Sequence, residues 1–263
     1  MEIGEIIEQI IVSWKKSKYS INNEALNSWW KKINEWKKID CLSFQQNGES
    51  IKPQYAIQRL YELTKNKNTI ITTEVGQHQM WAAQYYKFEK PNRWITSGGL
   101  GTMGFGFPAA IGAQIANPNA LVIDIAGDGS ILMNIQEMST AVQHKLPVKI
   151  FIINNEYMGM VRQWQELLHG GRYSESYMDS LPDFVKLAES FHAKGLRATK
   201  SDEVDKVIKE MIQFDGPVIA DIVVNKEENC FPMIQSGSAH NEMVLNKSQK
   251  QDVKSAEKGK ILV

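Results

Sequence analysis

The 263-residue sequence predicts an α/β fold, a doubly wound parallel sheet of about six strands with helices on both faces, preceded by a helical linker. Three observations carry this. Residues 121–125 and 148–153 are short, almost wholly apolar runs, the pattern of strands buried on both faces of a parallel sheet. Residues 131–144 lie between them with Ile131, Ile135, Met138 and Val142 at helical spacing and no Gly or Pro, which completes a βαβ unit. Elsewhere along the chain, short β-branched or apolar runs alternate with helical patterns, as a doubly wound sheet requires.

The elements follow in order. Ile3, Ile6, Ile7, Ile10, Ile11 and Trp14 space out an amphipathic helix. Asn22-Asn23 starts a second one, with Leu26, Trp29, Trp30, Ile33 and Trp36 along one side and lysines on the remainder. Lysine mixed with tryptophan is a nucleic-acid pattern; the reading favoured is a helix docked by its tryptophans with its lysines in water. Residues 45–52 are a polar connection, and Pro53 opens a helix through Leu63. Residues 69–73 are the first strand and 93–96 the second. Residues 97–106 hold five glycines, before a helix over 109–116 that Pro108 starts. Residues 157–164 are a loop entering a helix, with Met160 and Trp164 four apart on one face, and 167–177 is loop. A helix over 184–191, an edge strand over 193–196, an amphipathic helix over 202–214 and a last buried strand over 218–224 complete the sheet.

The chemistry gathers at strand ends. Asp128 stands at the carboxyl end of one strand and Asn155 at that of the next, the edge where open parallel sheets bind ligands. A carboxylate, an amide oxygen and a backbone carbonyl near Tyr157 make an oxygen set suited to Mg²⁺. Gly127 allows a sharp turn, and Gly129 and Ser130 open the following helix, with their N–H groups toward an anion. Together these imply a bound diphosphate; the alternative is that Asp128 and Ser130 only cap a helix. Gly104-Phe105-Gly106-Phe107-Pro108-Ala109 also fits a loose dinucleotide pattern, but no long apolar strand leads into it and Pro108 occupies the helix start.

Gly127-Asp128-Gly129 followed by Asn154-Asn155 resembles the fingerprint of thiamine diphosphate (ThDP) enzymes. The segments 75–81 (VGQHQMW), 97–104 (SGGLGTMG) and 158–165 (MGMVRQWQ) narrow the resemblance to the large catalytic subunit of acetohydroxyacid synthase, also called acetolactate synthase, over residues 23 to 243. Only the C-terminal third of a typical member is covered. The resemblance implies the ThDP-binding fold, with Val75, Gly76, Gln77, His78, Gly127, Gly129, Ser130, Met158 and Gly159 around the cofactor and Asp128, Asn155 and Tyr157 at the metal. It also places Met103 where it props the cofactor in a bent shape and the Gly101 carbonyl at its amino group. By the same resemblance, Met160 and Trp164 are expected to line the pocket for the substrate side chain. Glu74, beside the Gln-His pair, would repel a diphosphate unless its side chain points away.

The implied activity is decarboxylation of pyruvate and carboligation to a second 2-ketoacid, pyruvate or 2-ketobutyrate, giving 2-acetolactate or 2-aceto-2-hydroxybutyrate. This is a step in branched-chain amino acid synthesis. Implied cofactors are ThDP and Mg²⁺, with FAD in the complete enzyme. Implied partners are a second copy, or a chain carrying the N-terminal domains with the family's activating glutamate, and a small regulatory subunit. The isolated chain is therefore expected to turn over poorly. The resemblance further reads residues 1–21 as a remnant of a middle, FAD-type domain, 22–52 as helical linker, 53–228 as the diphosphate and Mg²⁺ domain, 229–245 as a segment covering the active site, and 246–263 as a solvated tail. Alternatives are another ThDP enzyme of the pyruvate oxidase or glyoxylate carboligase type, or a non-catalytic truncated ThDP-binding subunit. A nicotinamide-binding protein is more distant.

Composition excludes several classes. Thirty basic and thirty acidic residues cancel, so no electrostatic case for nucleic acid exists. No apolar run approaches the roughly 20 residues of a membrane span. Cys41 and Cys230 form neither a disulfide framework nor a zinc site. The opening residues resemble neither a signal nor a transit peptide, and a cytoplasmic or plastid-stroma location is expected.

Overall fold

The computed structural model describes residues 2–17 and 20–246. The tail expected over 246–263 lies, from residue 247 on, outside them. The chain divides into two compact units, Met1–Ser43 and Phe44–Val263.

The first unit holds two helices, α1 (Ile3–Lys16) and α2 (Asn23–Lys37). Asn22 caps α2, its side-chain oxygen accepting the Ala25 N–H at 3.0 Å, which satisfies one of the orphan donors of the first turn. Trp29 packs edge-on against Trp36 with ring centroids 5.5 Å apart. Both rings remain about half exposed, so the docked-tryptophan reading is not met within this unit.

The second unit is built on one parallel sheet. Its elements are α3 (Pro53–Thr64), β1 (Thr69–Thr73), α4 (Gln77–Tyr85), β2 (Trp94–Thr96), α5 (Gly106–Ala116), β3 (Leu121–Gly127), α6 (Asp128–Ile131), α7 (Met138–Gln143), β4 (Lys149–Asn154), α8 (Gly159–Leu168), α9 (Phe184–Ser190), β5 (Lys194–Ala198), α10 (Val204–Gln213) and β6 (Val218–Val223). The strand order β2-β1-β3-β4-β6-β5 makes the 194–198 strand an edge, as expected, and doubles the winding about β1 and β3. Each central strand supplies both cores because successive side chains point to opposite faces. Ile71, Ile123, Phe151 and Ala220 join α3, α4 and α10 on one face. Ile70, Val122, Ile150, Ile152 and Ile219 join α5, α7 and α9 on the other.

Two local expectations are corrected. The single helix expected over 131–144 is broken into α6, a 3-10 turn at Ile135–Glu137 and α7. The break has a tertiary cause: Asn134 turns its side-chain N–H to the Gly104 carbonyl at 2.6 Å, and the N–H groups of Met133 and Asn134 bond three residues back. The second correction is that α5 begins at Gly106, before Pro108, because the Glu74 carboxylate accepts the Phe107 N–H and caps the turn from outside the helix. Among the described residues, no helix is long and apolar enough to cross a membrane.

Candidate active site

The parallel register brings the strand ends level. Thr73 pairs with Ile125, and Gly127 with Ile153, so the loops after β1, β3 and β4 emerge side by side at the carboxyl edge. The loop after β2 joins them. One cavity of about 200 Å³ opens there. Val75, Gly76, Gln77 and His78 enter it from the β1 end, and Gly101 and Met103 from the glycine-rich segment. Gly127, Asp128, Gly129 and Ser130 enter from β3, and Asn155, Tyr157, Met158, Gly159 and Met160 from β4. Trp164 is not among its lining residues. It lies half exposed in an adjoining surface recess, which shares Met160 and Val161 with the cavity. Trp81 and Val161, which fall in the segments that carry the resemblance but have no role assigned by it, also line the cavity.

Asp128 and Asn155 flank one turn. Asp128 Oδ2 accepts the Glu156 N–H at 2.6 Å, and Asn155 Oδ1 accepts the Tyr157 N–H at 3.2 Å. Asn155 Nδ2 donates to Gln77 Oε1 at 3.1 Å, and Gln77 Nε2 donates to Gln163 Oε1 at 2.9 Å. The Gly129 N–H, expected to face an anion, is taken by Asp128 Oδ1 at 2.9 Å. Ser130 Oγ likewise turns back to Gly127, accepting its N–H at 3.2 Å. The helix-capping role left open in the sequence is thus realised, alongside the placement in the cavity.

The backbone at Gly127 is pressed close to His78: a Cβ there would lie 2.6 Å from His78 Nδ1. His78 Nε2 stands 3.5 Å from Ser130 Oγ. Burial pushes the His78 imidazole down to about 3, so it is neutral and presents one N–H and one lone pair. Burial also pushes the Asp128 carboxyl up to about 7, against the N–H groups of Gly129 and Glu156.

The donor set has a clear chemical bias. Asp128 is 2% exposed, and it forms no ion pair among the described residues. No Lys or Arg lines the cavity. A buried carboxylate beside amide and carbonyl oxygens, with no basic side chain, suits a small hard cation; such a cation is also what an anionic diphosphate would need in order to share this space. Glu74 does not add to that negative charge. It is fully buried and turns away, its carboxylate occupied by backbone N–H groups of the glycine-rich segment.

Residues 74–222 match the family of thiamine pyrophosphate enzymes through its C-terminal TPP binding domain. The chain belongs to this family. The matched stretch contains every residue that lines the cavity. The chain is also similar to the acetolactate synthase large subunit of Haemophilus influenzae, with 48% identity over 227 residues, covering 86% of this chain and 39% of that protein. It is 43% identical over 249 residues to the acetolactate synthase isozyme 3 large subunit of Escherichia coli, covering 94% and 43% respectively. To acetolactate synthase 1, chloroplastic, of Zea mays it is 46% identical over 226 residues, covering 83% and 35%. The chain spans about two fifths of the length of these bacterial relatives.

Proposed function

We propose that this chain is the diphosphate- and Mg²⁺-binding part of an acetolactate synthase, acting on pyruvate together with a second molecule of pyruvate or 2-ketobutyrate. The observation that carries the reading is a cavity in which one buried carboxylate meets four loop tips and no basic side chain is among the lining residues. Similarity to acetolactate synthases over most of the chain supports it. Asp128, the Asn155 side chain and the Tyr157 carbonyl hold Mg²⁺. Gln77, neutral His78, Ser130 and the backbone at Val75, Gly76, Gly127, Gly129, Met158 and Gly159 surround the diphosphate. The Gly101 carbonyl would accept from the cofactor and the Met103 side chain would pack against it, both lining the same cavity. Met160 and Trp164 shape the space for the 2-ketoacid side chain, and Trp164 favours ethyl over methyl by its apolar area. Thiamine diphosphate, when bound, supplies the electron sink that allows a 2-ketoacid to lose CO₂.

The relatives are named large subunits, and we extend to this chain an assembly with a small subunit and with a second catalytic copy. FAD belongs to that complete assembly, held largely by residues other than these. The setting we propose is the bacterial cytoplasm or the plastid stroma. Calorimetric titration of ThDP at saturating Mg²⁺ tests the reading: saturable binding that disappears with EDTA is expected, and no binding would overturn it.

A further inference from the structure

Glu74 follows β1 directly, and its own N–H continues the sheet ladder to the Ile125 carbonyl at 3.0 Å. Its side chain is fully buried. Oε2 accepts the Gly104 N–H at 2.6 Å and Oε1 accepts the Phe107 N–H at 3.0 Å. The Gly104 carbonyl is held from the opposite side by Asn134 Nδ2 at 2.6 Å. Gly104 is therefore held through both of its flanking peptides, one residue after Met103 and three after Gly101. Gly104 has φ +86°, and a Cβ on it would lie 2.8 Å from Met133 Cβ. At Gly106 a Cβ would lie 2.3 Å from Asp124 Oδ1 and 2.5 Å from the Glu74 nitrogen. The segment thus lies flat on two acidic side chains, with no room for it to shift inward.

We propose that Glu74 is a positioning residue: its carboxylate fixes the glycine-rich segment, and with it Gly101 and Met103, in the place where they meet the cofactor. The inference rests on the ThDP reading above. The residue type follows from the donors. Two backbone N–H groups converge on one side chain, and only a carboxylate offers two accepting oxygens; an amide would set one donor against another. Hydrogen bonds to a charged acceptor are also about twice as strong as neutral ones.

The neighbouring acid has a different task. Asp124 Oδ1 accepts the Thr72 hydroxyl at 2.8 Å, while Oδ2 is buried without a protein partner. Burial first, and the charge on Glu74 second, push its carboxyl well above the usual range. Burial raises the Glu74 carboxyl as well, and the N–H groups of Phe107, Gly104 and Gly106 hold it down only in part. Both Glu74 oxygens accept backbone N–H groups, whereas Asp124 uses Oδ1 alone. An asparagine at 124 keeps an oxygen for the Thr72 hydroxyl; a glutamine at 74 sets an N–H against one of the two backbone donors and breaks the grip.

The test compares wild type, Glu74→Gln and Asp124→Asn by amide hydrogen exchange and by ThDP calorimetry at saturating Mg²⁺. In Glu74→Gln, the Gly104 and Phe107 amides should exchange at least about tenfold faster and ThDP affinity should fall about tenfold, from losing charge-assisted bonds. Amides of β4 and β6 should stay protected, which separates a local release from general unfolding. Asp124→Asn should leave both readouts within about twofold of wild type. Wild-type exchange at 104 and 107 in Glu74→Gln overturns the proposal, as does faster exchange with unchanged ThDP affinity. Equal effects from Asp124→Asn overturn it too. A wild type that binds no ThDP refutes the functional reading instead, and the exchange arm still decides whether Glu74 holds the segment.

Discussion

Two residues of the cavity lend themselves to direct measurement. Replacing Asp128 by Ala removes the only carboxylate among the cavity's lining residues. Saturating Mg²⁺ and ThDP at a hundred times the dissociation constant adds ~2.7 kcal/mol to wild-type stability, and the Asp128→Ala protein should show no such thermal shift. An unchanged shift removes Asp128 from the metal. His78 governs an acid response. Its imidazole is held at about 3 in the fold by burial and returns to the ordinary histidine range when the chain unfolds. Between those values the unfolded chain binds the extra proton, so stability falls as pH drops from about 6.5 toward 3. Urea unfolding should lose about 2 kcal/mol more between pH 7 and pH 5 in wild type than in His78→Gln. Parallel pH profiles would mean the ring is solvated.

Among the elements, β4 is the one on which the layering turns. It lies inside the sheet between β3 and β6, with Phe151 in one core and Ile152 in the other, both fully buried. Ile152→Val removes one methylene from a close-packed site and should cost about 1 kcal/mol, whereas Ile115→Val, 62% exposed on α5, should stay within about 0.5 kcal/mol. Equal costs by denaturant midpoint would contradict the assigned faces. The sequence located β4 within a residue at either end, and the β1 bounds of 69–73 agree with the structure, because apolar and β-branched runs are a local signal. It could not show the break in the helix expected over 131–144. No Gly or Pro marks that break; Asn134 is drawn out of the helix by a carbonyl thirty residues away.

For the whole molecule, the prediction concerns completeness of the site. A polypeptide of these 263 residues should bind Mg²⁺ and ThDP, yet form acetolactate steadily only when mixed with a protein that supplies the family's N-terminal domain and its glutamate. Acetolactate production by this polypeptide alone would show that the second domain is dispensable. The sequence by itself determined the strand count, the carboxyl edge as the edge at which the cavity opens and nearly all of the cavity's lining, since strand ends and glycine turns are written in adjacent residues. Only the tertiary structure decided that Trp164 stands outside the cavity, that Gln77 is braced by Gln163, and that Glu74 turns away from it. The physical reason is common to all three. Their partners are distant in the chain, and in the case of Glu74 they are backbone N–H groups 30 and 33 residues on, which every residue but proline possesses and no sequence pattern marks.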